Sequence, residues 1–356
     1  MTEQNDSQQG IRFLVTMAAL VVIIVGIHQA QSVLVAFLVA VFLAMLGTPP
    51  VLWLERKRIP SVVAVLLVVA GMIAILLISG VIVGASINNF YTELPAYQTR
   101  LQEQAAAFQS FLATKRIRGV DKILIGLVNP GAVMNLTARL LAELGSALSN
   151  IVLILLTVVF ILLEASSFPV KLRAVLGDPK QVFPQFTEFV VDIERYMVIK
   201  TLISLATGIL MGIWLSILGV DFPILWGFLA FLLNYVPSVG STIAAIPAVL
   251  LALIQLGIGS AVMATAGYMV VNFILDGVIS TRLMGQRLGL STLVVFLSLI
   301  FWGSLLGAVG MVLCIPLTMT LKFACENNKG TRWIAVLLGP EVPPDSIPPV
   351  LMKEVF

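Results

Sequence analysis

Asn234, Tyr235, Pro237, Ser238, Gly240 and Ser241 stand close together in FLLNYVPSVGSTIAAIP, residues 231–247, at the centre of a long apolar tract. An amide, a phenol and hydroxyls can donate and accept hydrogen bonds without carrying charge. Pro237 lacks an N–H and Gly240 permits a tight reversal, so the backbone is expected to break between them. A second set, Gly303, Ser304, Gly307 and Gly310, interrupts the last apolar tract as GSLLGAVG. Both second halves carry an Ile-Pro pair shortly after a Val-Gly pair, VGSTIAAIP (239–247) and VGMVLCIP (309–316). Such a set suits recognition of a small, neutral, hydroxyl-bearing molecule. A carboxylate or phosphate would call for Arg or Lys.

Charged candidates are few. Asp276 precedes Arg282 at the end of an apolar tract, and Asn272 lies one helical turn before Asp276 on the same face. An ionisable group inside a membrane tract is a functional candidate, here for ion coupling. Glu164 and Lys200 sit at span ends and read as side chains snorkelling to the interface. His28 is the single histidine and falls in a turn, where it reads as exposed. Cys314 and Cys325 lack metal-type spacing and read as packing residues with free thiols. The sequence contains no GxxxxGK[ST], HExxH or GxSxG, so no nucleotide, catalytic or metal residues are indicated and no cofactor is implied. An enzyme reading has nothing to rest on.

The elements that must hold these residues follow from composition. Of 356 residues, 59% are hydrophobic and 11% charged, against about 25% charged in an ordinary soluble domain. The solvent of this chain is largely lipid. The net charge of +3 is small and says nothing about nucleic acid, and no basic cluster is interleaved with aromatics, so no nucleic-acid partner is expected. A membrane helix needs about 20 apolar residues. Tracts near that length occur at 11–27, 32–53, 61–87, 147–167, 199–219 and 258–281, with longer interrupted tracts at 222–256 and 291–323. The polar start MTEQNDSQQG lacks the basic region of a signal peptide, so the first tract is expected to remain as a span.

Loop charge sets the orientation. ERKR in the link after the second tract, with Arg56, Lys57 and Arg58, belongs on the cytoplasmic side. The N-terminus is then cytoplasmic and the HQAQ turn external. By parity 88–145 is external, while 168–198, TRLMGQRLG (281–289) and the C-terminus are cytoplasmic, provided that each interrupted tract returns to the side it entered. The two breaks then enter from opposite faces, with their tips near the bilayer midplane. Broken backbone at that depth is tolerated where it is buried in protein or lines a cavity, and transporters use it to bind substrate. Within 88–145, Leu94, Tyr97, Leu101, Phe108, Phe111 and Leu112 recur at helical spacing, the mark of an amphipathic helix, with a second helix at 129–150. GVIVG (Gly80, Gly84) and GILMG (Gly208, Gly212) permit close helix packing.

The expected fold is therefore all-α: a polytopic integral membrane protein of about eight membrane segments, including two opposed broken helical hairpins, with an extramembrane amphipathic segment. The divisions are 1–87 as N-terminal scaffold spans, 88–146 as extramembrane helices and 147–221 as spans four and five with a cytoplasmic link. The two-hairpin transport unit is 222–325, followed by a cytoplasmic tail at 326–356. Besides transport, the residues leave open a pore or an assembly scaffold.

FPILWGFLAFLLNYVPSVGSTIAAIP (222–247) and MGQRLGLSTLVVFLSLIFWGSLLGAVGMVLCIPLTMTLK (284–322) strongly resemble the autoinducer-2 exporter (AI-2E) family. The resemblance runs from the ERKRIP link to IAVLL (334–338) and is densest over 195–325. It implies a homo-oligomeric, pentameric transporter of the bacterial inner membrane, exporting autoinducer-2 by an elevator-like motion of the hairpin unit. Family members are also linked to sodium or lithium/proton antiport. Many carry Glu-Pro-Arg or Glu-Pro-Lys where this chain has Ser280-Thr281-Arg282. The usual acidic partner of Arg282 is thus absent, and Asp276, one turn from Ser280, is the residue placed to substitute.

Overall fold

The computed structural model describes residues 18, 22, 24–114, 151–176, 184–237, 239–284, 289–326 and 330–340. The expected helix at 129–150, most of the tract at 11–27, Ser238 and the tail after 340 lie outside the described residues. The described regular structure is helical throughout: Gln31–Arg56 (α1), Ser61–Thr114 (α2), Ile151–Leu176 (α3), Pro184–Leu218 (α4), Pro223–Leu233 (α5), Gly240–Leu256 (α6), Ile258–Asn272 (α7), Thr281–Met284 (α8), Thr292–Glu326 (α9) and Arg332–Leu338 (α10). A π-helical stretch, Phe273–Ser280, joins α7 to α8. Among these, five segments are long and apolar enough to cross a membrane: Gln31–Arg56, Ser61–Phe90, Phe186–Leu218, Ile258–Ser280 and Thr292–Glu326. Large apolar side chains such as Ile75, Val81, Ile217 and Ile258 stand exposed on them. Water would not tolerate so continuous an apolar surface; hydrocarbon does. The protein is an all-α polytopic membrane protein.

One core joins α1, the start of α2, and α3. Ala36, Ala40, Ala44 and Gly47 recur every three or four residues along α1 and form its buried face. A Cβ on Gly47 would lie 2.9 Å from Met72 Cε of α2 and 3.2 Å from Leu162 Cδ1 of α3. Small residues bring the backbones close where no hydrophobic force separates helix from lipid. Ala64, Val65 and Val69 of α2 and Ile154, Val158 and Leu162 of α3 complete this core.

A second core gathers α4, α5, α6 and α7 around Trp226, Leu229, Leu251 and Met211. Here GILMG does what its spacing predicts: a Cβ on Gly208 would fall 2.7 Å from Gly227 O, and one on Gly227 would fall 2.6 Å from Gly208 O. Gly80 and Gly84, by contrast, have no atom within 4 Å of a would-be Cβ. The second half of α2 joins this core too. Phe90, fully buried, meets Phe222 and Trp226 edge-on at 5.9 and 5.7 Å. The third apolar tract ends near residue 87 as expected, but its helix does not: one helix of 54 residues carries on to Thr114.

Tyr97, seven residues beyond Phe90, donates from its hydroxyl to Asp221 Oδ2 at 2.8 Å and accepts from Gln255 Nε2 at 3.2 Å. Burial raises the pKa of this phenol, and its hydrogen bond to Asp221 raises it further, so the group stays a donor. Tyr97→Phe is expected to lower stability by about 1 kcal/mol, measured as a small drop in the thermal midpoint of the detergent-purified protein. An unchanged midpoint would show that this contact is not formed in the membrane form.

Both interrupted tracts turn back on themselves. At the open end of 222–256, the Asp221 amide donates to Gln255 Oε1 at 3.0 Å, and Gln255 Nε2 donates to Asp221 Oδ2. In α9, Gly307 is non-helical at φ 68° and ψ −149° and separates arms 292–306 and 308–326. Lys322 Nζ closes its open end on Gly289 O at 2.7 Å, and Trp302 Nε1 reaches Thr318 Oγ1 between the arms at 3.0 Å. Asp221 follows the C-terminal end of α4, whereas Phe323 stacks on Phe189 near the N-terminal end at 4.3 Å. The open ends thus lie at opposite ends of one long helix.

The two turns meet α1 at different levels. The first tip meets α1 at Phe42, which packs edge-on to Tyr235 at 5.6 Å. The kink at Gly307 lies level with Gln31, the first residue of α1, whose Nε2 is 3.5 Å from a Cβ built there. At about 1.5 Å per residue, α5 is about 16 Å long, half of a bilayer core of about 30 Å. The α9 arms run about 22 and 28 Å and cover most of it.

Candidate functional site

The residues singled out by sequence converge on one face of α4. Lys200, Thr201 and Ser204 sit within five positions, at a spacing that puts Lys200 and Ser204 one turn apart. At the first tip, Asn234 Nδ2 donates to Ser204 Oγ at 3.1 Å and Tyr235 OH donates to Thr201 Oγ1 at 2.8 Å. Asn234 is 2% exposed and Ser204 fully buried. An uncharged polar seam so deep in an apolar core is expensive unless its members pair, and these do.

Close approach at the tip depends on glycine. A Cβ on Gly240 would stand 1.7 Å from Leu233 O, the last carbonyl of α5. The second tract repeats the device, since a Cβ on Gly310 would stand 2.0 Å from Trp302 O. In each case a glycine lets the second arm begin against the backbone of the first. That contact is the physical content of the paired Val-Gly signals. Pro247 and Pro316 then sit buried within α6 and α9. The N–H groups of Asn234, Tyr235, Val236, Val239 and Gly240 are bonded within the turn, so side chains offer more to a ligand here than freed backbone donors.

Lys200 does not snorkel. It is 8% exposed, and its ammonium donates to Asp276 Oδ1 at 3.1 Å. The π-helical stretch Phe273–Ser280 carries Asp276, and wide turns of this kind recur where a side chain must be re-aimed. Asp276 therefore serves Lys200, while Arg282 is exposed near the end of that segment. The partnership of Asp276 with Arg282 expected from sequence is not formed. Asn272 Oδ1 is buried and has no hydrogen-bond partner among the described residues.

The remaining candidates fall into two groups. Pro237 and Ser241 are half-buried beside Asn234 and Tyr235. Gly303 and Gly310 are buried between the α9 arms, with Gly307 at their kink. Ser304 is exposed and its hydroxyl is engaged by Phe301 O at 2.9 Å. Val236 and Val239 of the first tip and Leu299, Val309, Val312 and Leu313 of the second tract belong to one apolar cluster that also holds Met197 and Phe42. Cys314 and Cys325 are free and buried, as their spacing implies, and His28 is exposed. Sequence reasoning read Lys200 as snorkelling and missed Thr201 and Ser204, although KTLIS interrupts an apolar run with three polar side chains on nearly one face.

A family model described as AI-2E family transporter matches residues 17–329. The chain is similar to the AI-2 transport protein TqsA of Escherichia coli (strain K12), with 37% identity over 93% of this chain and 96% of that protein. YhhT of the same strain is 35% identical over 98% of this chain and 99% of its own length. A Haemophilus influenzae protein is 34% identical over 92% and 96%. The matches take in both cores and both folded-back tracts. The chain belongs to the AI-2E transporter family and is a membrane transporter, not an enzyme.

Proposed function

We propose that this protein exports autoinducer-2 across the bacterial inner membrane, with both termini cytoplasmic. The two folded-back tracts act as opposed hairpins among about eight membrane segments and move with α4 and α7 as one unit against a scaffold of α1, the first half of α2, and α3. The observation that carries the reading is the buried, uncharged seam Asn234–Ser204 and Tyr235–Thr201, placed where a hairpin tip meets a long helix. Hydroxyls and an amide suit a small polar cargo without fixed charge, as the first-named relative's cargo would be. Gly240, Ser241 and the Gly303–Gly310 turn belong to the same moving unit, and copies of the chain assemble as a homo-oligomer, a pentamer by family resemblance.

Asn234→Ala removes one partner of a buried pair, a loss of about 1–3 kcal/mol. Export is expected to fall about tenfold or more while the membrane abundance of the variant stays near wild type. The measurement is extracellular against intracellular autoinducer-2 in a strain lacking the gene and complemented with either form. Normal export by the variant would remove Asn234 from the pathway. Cation/proton antiport would rest on Asp276, but its carboxylate already holds the Lys200 ammonium. Sodium-driven proton flux in vesicles that disappears in Asp276→Asn would restore the antiport reading.

A further inference from the structure

Lys200 and Asn272 pose a shared problem of unmet hydrogen bonding. An ammonium has three donors, and among the described residues only Asp276 Oδ1 accepts from Lys200. The Lys200 side chain is 10% exposed, so solvent offers little. Asn272 Oδ1 is buried and lacks a donor. Asn272 and Asp276 stand four residues apart, facing one side of the segment that carries the π-helical turns. Two surplus donors on Lys200 and one surplus acceptor on Asn272 thus flank Asp276, the first bonded to its carboxylate and the second four residues earlier on its side of the segment. A buried polar atom left alone costs about 1–3 kcal/mol, so the arrangement favours a visiting group that can both donate and accept.

We propose that Lys200, Asp276 and Asn272 form a hydroxyl-binding subsite of the transport pathway, in which a cargo hydroxyl accepts from the Lys200 ammonium and donates to Asn272 Oδ1. This rests on the export reading above and extends it from the tip seam to a second polar contact. The subsite adjoins that seam through α4: Lys200 leads directly to Thr201 and lies one turn from Ser204. Asp276 fixes the ammonium and cancels its charge, so the pair holds a neutral polar group rather than an ion. An anionic cargo would meet the Asp276 carboxylate. A cation would have to displace an ammonium that is tethered in place. A hydroxyl, being donor and acceptor at once, completes both unmatched groups.

The test uses the full-length protein in lipid nanodiscs, with autoinducer-2 as the titrant in calorimetry and sodium chloride as a separate titrant. Asn272→Leu is the decisive variant, because removing an orphan acceptor from a purely structural site should leave the thermal midpoint unchanged or raise it. The expected result is a midpoint at or above wild type together with an autoinducer-2 affinity at least about tenfold weaker, the equivalent of about 1.4 kcal/mol. Lys200→Gln, which keeps a donor but loses charge, is expected to weaken binding less than Lys200→Met. Wild-type affinity in Asn272→Leu would overturn the subsite and show that water alone fills it. A sodium-dependent rise in midpoint that Asn272→Leu abolishes, without change in autoinducer-2 affinity, would also overturn it in favour of a cation site. Failure of the wild type to bind autoinducer-2 would sink the export reading and the subsite with it, a result separable from the others because it appears before any substitution.

Discussion

Gly240→Ala is expected to leave the protein without export and with sharply reduced membrane abundance. The added methyl carbon would stand 1.7 Å from Leu233 O and 2.7 Å from Leu233 C. Both are backbone atoms, so no side-chain rotation relieves the contact. The α5–α6 turn must open, and opening it withdraws Asn234 from Ser204 and Tyr235 from Thr201. Overpacking typically costs about 1–3 kcal/mol and more where backbone must move; loss of the buried hydrogen bonds adds about 1 kcal/mol each. Gly310→Ala, at 2.0 Å from Trp302 O, should behave alike. Gly259→Ala is the control, since no atom lies within 4 Å of its would-be Cβ. Immunoblotting of membranes and the thermal midpoint in detergent report the loss. If Gly240→Ala accumulates and exports as Gly259→Ala does, the tip geometry described here is not the working one.

The second large effect is expected from Lys200→Met, which strands Asp276. Breaking a buried ion pair on one side costs about 3–5 kcal/mol. The Asp276 side chain retains 31% exposure, which places the expected loss at the lower end. Lys200→Met combined with Asp276→Leu should recover most of that stability, because an apolar pair of similar volume carries no desolvation penalty. Export should remain low in the double variant, since the ammonium donors are gone. The comparison of abundance with export across the single and double variants reads the two roles apart. A single variant as stable as wild type would mean that the pair is open to water.

Much of this architecture was legible in the sequence because hydrocarbon imposes a length on every crossing. The tracts at 32–53, 61–87 and 258–281 follow from that constraint alone, and the glycines at 240 and 310 marked the turns. The fate of Lys200 was not legible. Whether a lysine near a span end reaches for the interface or turns inward depends on a carboxylate 76 positions away, and nothing local encodes that pairing. The continuation of α2 past residue 87 escaped for a different reason. Apolar composition ends there, but helix formation does not need it; the helix even runs through Pro95. Within the break expected across 303–310, the single non-helical residue is Gly307.

The length of α2 carries a mechanical consequence. Its first turns belong to the α1–α3 body through Ala64, Val65 and Val69, while Phe90 and Tyr97 belong to the hairpin body. On the elevator motion proposed above, a rod fastened at both ends to the two bodies would work as a leash: it would limit the stroke, and any larger excursion would be absorbed in the bare stretch between Ile73 and Val83.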